Sequence, residues 1–185
     1  MKYIISTIAF LIPSLVLGHE GHQQASLGMG LASGLLHPLL GLDHLISLIA
    51  VAFFASRLTG KQKYLVPLSF VGLMMVGFFS AHAGIHFIAA STIESLISIS
   101  LVTAAVIVFA GHWMQNHSVF NTIAAWAFTG FAAFHGMAHG IEIPLGADAL
   151  AFAGGFSIAC GLTLSISYML IKTLSQRSKA QQNAC

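Results

Sequence analysis

The sequence predicts an all-α polytopic membrane protein, a bundle of about five to six transmembrane helices after an N-terminal signal peptide. Of the 185 residues, 57% are hydrophobic and only 6% are charged, and the mean hydropathy is +0.88. A soluble domain carries about 25% charged residues, so this composition indicates a chain that folds in a lipid bilayer. The Lys and Arg residues lie near the N-terminus, between Arg57 and Lys63, and after Ile171. Nothing in this distribution supports nucleic-acid binding.

Residues 1–18 predict a signal peptide. Lys2 supplies the positive charge, an apolar run containing Pro13 follows, and Gly18 offers a small residue for cleavage. The run is shorter than the roughly 20 apolar residues that a span needs, although an uncleaved first helix is the alternative. His19 and His22 would then open the mature chain and could capture a metal ion as secondary ligands.

Five apolar stretches follow, at residues 26–56, 65–90, 92–113, 119–143 and 147–171. Each can cross a hydrocarbon core of roughly 30 Å as a helix that rises about 1.5 Å per residue. No stretch shows the alternation of a membrane barrel strand. The positive-inside rule places the basic residues at 57–63 and after 171 in the cytoplasm. Five crossings from an outside N-terminus end inside, which agrees with that placement.

The first stretch is long and interrupted, and we expect its helix to break between Pro38 and Gly41. Proline removes a backbone donor and clashes with the preceding turn, while glycine tolerates almost any backbone conformation. Transporters use such broken helices to build binding sites, and an ordinary proline kink is the alternative. Gly30 and Gly34 give the same stretch a small-residue face, which we expect to pack within the chain.

Two histidines and a carboxylate surround this break, in the run H-P-L-L-G-L-D-H. An Asp inside the bilayer costs on the order of 3 kcal/mol on insertion scales, so such residues are rare and usually functional. Neutral imidazole nitrogens and carboxylate oxygens are ligands that divalent transition metals accept. We therefore predict that His37, Asp43 and His44 bind a metal ion.

A second set of the same chemical type lies in the fourth stretch, in the run F-H-G-M-A-H-G-I-E. Positions i, i+4 and i+7 share one face of a helix, so His135, His139 and Glu142 would project toward the same neighbour. Gly136 and Gly140 would let another helix approach closely. Hydrogen-bonded packing is the alternative for a membrane histidine, but two such clusters favour a metal or proton pathway.

His82 and His86 form a third i, i+4 pair near the outer end of the second stretch. Pathway lining as secondary metal ligands and interfacial packing are both open for this pair.

The two runs resemble the two signatures of the HupE/UreJ family of nickel and cobalt permeases. H-P-x-x-G-x-D-H is matched in full from His37 to His44, and F-H-G-x-A-H-G-x-E from Phe134 to Glu142. The resemblance covers the whole mature chain and implies a bacterial inner-membrane secondary transporter that imports Ni²⁺ or Co²⁺. Carried onto this sequence, the motif residues are His37, Asp43, His44, His135, His139 and Glu142. The metal would be cargo, and we expect no prosthetic group.

The predicted organisation is a signal peptide at 1–18, a periplasmic histidine-containing N-terminus at 19–25, a transmembrane bundle at 26–173 and a cytoplasmic tail at 174–185. No GxxxxGK[ST] sequence occurs, so we expect no ATPase domain in this chain. Its predicted partners are a divalent transition-metal ion and the lipid bilayer. Both Ni²⁺ and Co²⁺ accept the predicted nitrogen and oxygen ligands.

The strongest alternative is an intramembrane zinc-dependent hydrolase, in which the same ligands hold a metal-activated water and Glu142 acts as general base. Transport and catalysis both need an open coordination position, so the ligand types do not separate the two. A haem-binding electron-transfer protein with axial histidines is a weaker third hypothesis, which predicts a Soret band in the purified protein.

Overall fold

A computed structural model describes residues 30–110, 118–143 and 147–184, which form seven α-helices and no strand. The helices are α1 (Gly30–Leu40), α2 (Leu42–Arg57), α3 (Gln62–His82), α4 (Ala90–Ala110), α5 (Ser118–Gly130), α6 (Ala132–Glu142) and α7 (Ala149–Ala184). The all-α bundle is therefore confirmed. The predicted signal peptide and the segment 19–25, with His19 and His22, lie outside the described residues.

The first apolar stretch is broken into α1 and α2, which meet at a bend of 72°. Pro38 lies inside α1, and the break itself falls at Gly41, whose backbone is extended with φ −78° and ψ 111°. The amide of Gly41 donates to the His37 carbonyl and its own carbonyl accepts from Leu45, both at 3.0 Å. The predicted break between Pro38 and Gly41 is confirmed, and hydrogen bonds continue across it.

The fourth stretch is also divided, which the sequence did not predict. One residue, Phe131, separates α5 from α6 and keeps a nearly helical backbone at φ −70° and ψ −15°. At about 1.5 Å per residue these helices are roughly 20 and 17 Å long, so neither crosses a bilayer alone. By length and composition, three helices of the described chain can span a membrane, or four if α1 with α2 is one span. The sequence predicted five.

The bundle is joined by two tight helix pairs, of which the first is α1 with α7. Gly30 lies against Asp148, and Gly34 lies against Phe152, where an added Cβ would overlap the carbonyl group. Both positions advance in the same direction along the two helices, so α1 and α7 run parallel. The predicted packing of Gly30 and Gly34 within the chain is confirmed.

The second tight pair is α3 with α6. A Cβ at Gly136 would overlap the carbonyl oxygen of Met74, and a Cβ at Gly140 would overlap that of Phe78. These helices therefore also run parallel, at backbone contact, as the small-residue spacing predicted. Parallel directions for α3 and α6, and for α1 and α7, fit a chain of five alternating passes in which α5 and α6 act together.

The outer surface of the bundle is apolar along its length. Large hydrophobic side chains are exposed on every long helix, for example Leu68, Val76, Val106, Phe109 and Leu162. Soluble proteins rarely expose contiguous apolar surface of this kind, so contact with lipid accounts for it.

Basic residues of α2, α3 and α7 are associated with aromatic rings. Arg57 lies 4.1 Å from the centroid of the Phe53 ring, and Lys172 lies 5.9 Å from that of Tyr168. Tyr168 is also near enough to Lys63 to act on it electrostatically. The start of α3 and this part of α7 therefore lie at the same end of the bundle, and that this end faces the cytoplasm stays a prediction.

Candidate metal centre

Three histidines from three helices converge inside the bundle: His37 of α1, His44 of α2 and His139 of α6. One ring nitrogen of each lies within 4.8 Å of those of the other two. The Nε2 atoms of His44 and His139 are 2.5 Å apart. The ring centroid of His37 is 5.1 Å from that of His44 and 4.5 Å from that of His139. We call these residues the three-histidine cluster.

The break between α1 and α2 places two of the three side chains. Residues seven apart in a straight helix share a face but are separated by roughly 10 Å along the axis. Because the chain turns through 72° at Gly41, the rings of His37 and His44 instead come to 5.1 Å. The last turn of one helix and the first turn of the next thus face the same point.

Gly41 leaves the space that this arrangement needs. An added Cβ would lie 2.8 Å from Nδ1 of His44 and 3.0 Å from Oδ1 of Asp43. Its φ of −78° is open to every residue type, so conformational freedom does not explain the glycine. The glycine is explained instead by the space that a side chain would take from His44 and Asp43.

Asp43 contacts the cluster through His44. Its Oδ1 atom lies 3.0 Å from Nδ1 of His44, and the carboxyl side chain is 19% exposed. With the carboxylate ionised, Nδ1–H donates to it, and the lone pair is then on Nε2, the atom that faces His139. Carboxylates hold metal-binding histidines in this way in many metal sites. Asp43 was predicted as a metal ligand; in this structure its carboxylate contacts Nδ1 of His44, and the group of three converging ligand atoms consists of His37, His44 and His139.

His135 is buried beside the cluster, one turn before His139 on α6. Its side chain is 1% exposed, and its ring centroid is 5.7 Å from that of His44 in an edge-to-face arrangement. It therefore contacts the cluster from one side without joining the group of three.

The other predicted residues lie farther out. Glu142 is the last residue of α6 and is exposed, outside the cluster. His82 is exposed at the end of α3, with its ring stacked at 6.0 Å on Phe78. His86 is exposed in the segment that follows.

One wall of the site is aromatic and comes from α7, which the sequence did not indicate. The Phe156 ring is 5.9 Å from His37, 5.8 Å from His44 and 5.3 Å from His139, and Phe152 is 5.8 Å from His37. Gly155, between these two rings in sequence, brings α7 into backbone contact with Leu31 of α1. The wall excludes water from one side of the cluster.

The arrangement suits a divalent transition metal. Neutral imidazole is a good ligand for such ions, and three nitrogen donors leave at least one coordination position open. Two imidazole nitrogens that face each other inside an apolar bundle are unfavourable unless they share a proton or a cation.

The comparisons with known proteins agree with these observations. The family model described as HupE / UreJ protein matches residues 7–185. Protein HupE from Rhizobium leguminosarum bv. viciae is 35% identical over 163 residues, which cover 86% of this chain and 78% of that protein. No solved structure matches the chain. This chain is a membrane protein of the HupE/UreJ family.

Proposed function

We propose that this protein is a secondary transporter that imports Ni²⁺ or Co²⁺ across the bacterial inner membrane. The observation that carries the proposal is the convergence of His37, His44 and His139 within the apolar bundle. A dication that loses its hydration shell enters lipid only at a prohibitive cost in free energy. Three imidazoles can replace part of that shell and so lower the cost.

The position of the cluster at a helix break favours transport. Irregular backbone at membrane depth is tolerated where it lines a cavity, and transporters place such breaks at their binding sites. Three exposed carboxylates would attract cations toward the end of the bundle at which α6 finishes and α7 begins. They are Glu142 at the end of α6, Asp148 before α7, and Glu94 near the start of α4. The basic residues lie near the opposite ends of α2 and α7.

No specific observation favours the zinc hydrolase. Its predicted general base, Glu142, is exposed and lies outside the three-histidine cluster. A general base must reach the metal-bound water, within about 3 Å or through one further water.

The test is metal accumulation in cells that express equal amounts of wild type, His37→Ala and His44→Ala. We expect nickel or cobalt uptake to fall to the level of cells without the protein in both variants. Ser56→Ala, which removes a hydroxyl that is hydrogen-bonded within α2 and lies outside the cluster, should retain most uptake. Unchanged accumulation in the two cluster variants would refute the site.

A further inference from the structure

We propose that Ser47 of α2 and His135 of α6 form an inner station for the transported dication, one helical turn beyond the three-histidine cluster. The proposal rests on the transport function above and adds a route by which the ion leaves. Ser47 belongs to neither histidine-containing run, and its role comes from its position in the bundle.

The first observation is the state of the Ser47 hydroxyl. Ser47 is 1% exposed, and its Oγ atom makes no hydrogen bond to any described residue. Other helix hydroxyls in this protein behave differently: Ser56 donates to the Phe53 carbonyl at 2.7 Å, and Thr129 donates to that of Ala125 at 2.8 Å. A buried hydroxyl without such a bond costs free energy, so a ligand is a physical reason to keep it.

The second observation is register. α2 leads through a short connection into α3, which runs opposite to it, and α3 is parallel to α6. α2 and α6 are therefore antiparallel, and they meet where His44 faces His139. One turn onward along α2 is Ser47, and one turn back along α6 is His135. Both are buried, and we infer from this register that they lie at the same level of the bundle.

His44 connects the two levels. Its ring centroid is 5.1 Å from that of His37 in the cluster and 5.7 Å from that of His135. An ion that leaves the cluster can thus exchange His37 and His139 for His135 and Ser47 while His44 remains near. The step is about one helical turn, roughly 5 Å, and no full rehydration is needed.

The chemistry of the inner station suits release. A neutral hydroxyl is a weaker ligand than a third imidazole, so the ion is held less firmly there than at the cluster. Conduction through a membrane protein needs sites that bind strongly enough for entry and weakly enough for exit. About 20 Å of α2 still separates His44 from Arg57 at helical rise, so an ion leaving the cluster needs a further polar contact.

Ser47→Ala is the direct test, with Ser56→Ala as the matched control on the same helix. Purified protein in detergent is titrated with Co²⁺, and uptake of Co²⁺ is measured in proteoliposomes. We expect Ser47→Ala to bind Co²⁺ at the cluster within about twofold of wild type and to lose uptake by about tenfold or more. Ser56→Ala should match wild type in both. Wild-type uptake by Ser47→Ala would overturn the inner station.

A spectroscopic test covers the case in which Ser47→Ala also loses binding or stability. Ser47→Cys puts a thiol at the proposed ligand position, and a thiolate bound to Co²⁺ adds a near-ultraviolet charge-transfer band. We expect this band in the Ser47→Cys minus wild-type difference spectrum and not with Ser56→Cys. Its absence in protein that binds Co²⁺ would contradict the proposal.

The experiments distinguish a failure of the proposed transport function from a failure of the inner station alone. If wild type itself moves neither Ni²⁺ nor Co²⁺, the proposed function fails, while the cobalt spectrum still reports whether Ser47 faces the ion. If His37→Ala abolishes uptake and Ser47→Ala does not, only the inner station fails.

Discussion

Asp43 and His44 form a contacting pair in this structure, and an ionised carboxylate at this position would favour the tautomer of His44 that carries its proton on Nδ1. The contact of 3.0 Å joins Oδ1 to Nδ1 and leaves Nε2 to face His139. In this pair, His44 would bind the ion and Asp43 would orient His44.

Replacing Asp43 should therefore weaken metal binding without abolishing it. We expect Asp43→Ala to lower Co²⁺ affinity by about 10- to 100-fold, the usual effect of removing a partner behind a metal-binding histidine. His44→Ala should lose more. Isothermal titration in detergent measures both, and an equal loss in the two variants would make Asp43 a direct ligand.

Gly41 should not tolerate even a methyl group. The Cβ of Gly41→Ala would lie 2.8 Å from His44 Nδ1, which forces the imidazole or the carboxylate of Asp43 to move. We expect a loss of metal affinity of about tenfold or more, as for other disturbances behind a ligand. Gly72→Ala is the control, because nothing lies within 4 Å of its added Cβ. Equal affinity in both variants would show that the clearance does not matter.

His37 and His44 could be predicted because intramembrane histidines beside a helix break are uncommon and chemically specific, and His139 because it shares a helix face with His135. Helical spacing also assigned Glu142 to the face of His135 and His139, but α6 ends at that residue and leaves it exposed. Ser47 and Phe156 were missed for a general reason: periodicity describes one helix and does not tell which residues of another helix approach it.

Among the helices, the break at Gly41 could be predicted from the sequence, and the division at Phe131 could not. Proline and glycine marked the break between α1 and α2, since each has a known effect on helical backbone. The division at Phe131 has no proline, and its dihedral angles are close to helical. Composition therefore predicted one uninterrupted stretch where the structure has α5 and α6.

The tight contact between α3 and α6 makes a stability prediction. Gly136→Ala places a Cβ against the backbone carbonyl of Met74, which has no flexible side chain to displace. We expect it to lower the free energy of unfolding by about 1–3 kcal/mol, the usual cost of overpacking. Gly161→Ala has open space and should be neutral or stabilising by up to about 1 kcal/mol. Thermal denaturation in detergent compares them, and equal melting temperatures would contradict the close approach.

For the whole molecule, the fold class followed from composition, and the orientation that the basic residues predict stays a prediction. The parallel pairs fit five alternating passes, although only three or four helices in the described chain are long and apolar enough by themselves. Spacing along the chain could not predict which helices pair, because any small-residue face can meet any other.

The orientation in the membrane can be tested at two exposed positions. Thr59 follows α2 at the basic end, and Ile85 follows α3 at the opposite end. In intact spheroplasts, we expect Ile85→Cys to react with a membrane-impermeant thiol reagent and Thr59→Cys to react only after lysis. The reverse pattern would place the N-terminus in the cytoplasm.

Metal binding should depend on pH, because imidazole binds a metal ion only in its deprotonated form. Protonated imidazole has no lone pair for a metal, so protons and the ion compete for the cluster. Affinity for Co²⁺ should therefore fall as the solution becomes more acidic. Far-ultraviolet circular dichroism at each pH separates this loss from unfolding. A flat profile with intact helices would exclude histidine ligands.

The glycine contacts have a mechanical consequence. In two helix pairs, α1 with α7 and α3 with α6, the backbones are in contact. No layer of side chains separates the two helices that would let one slide along the other. We therefore expect any motion to be a rocking of one helix pair against the other, and His37 and His139 belong to different pairs. Spin labels at the outer surfaces of α1 and α6 should change their separation when Co²⁺ is added, while labels within one pair should not.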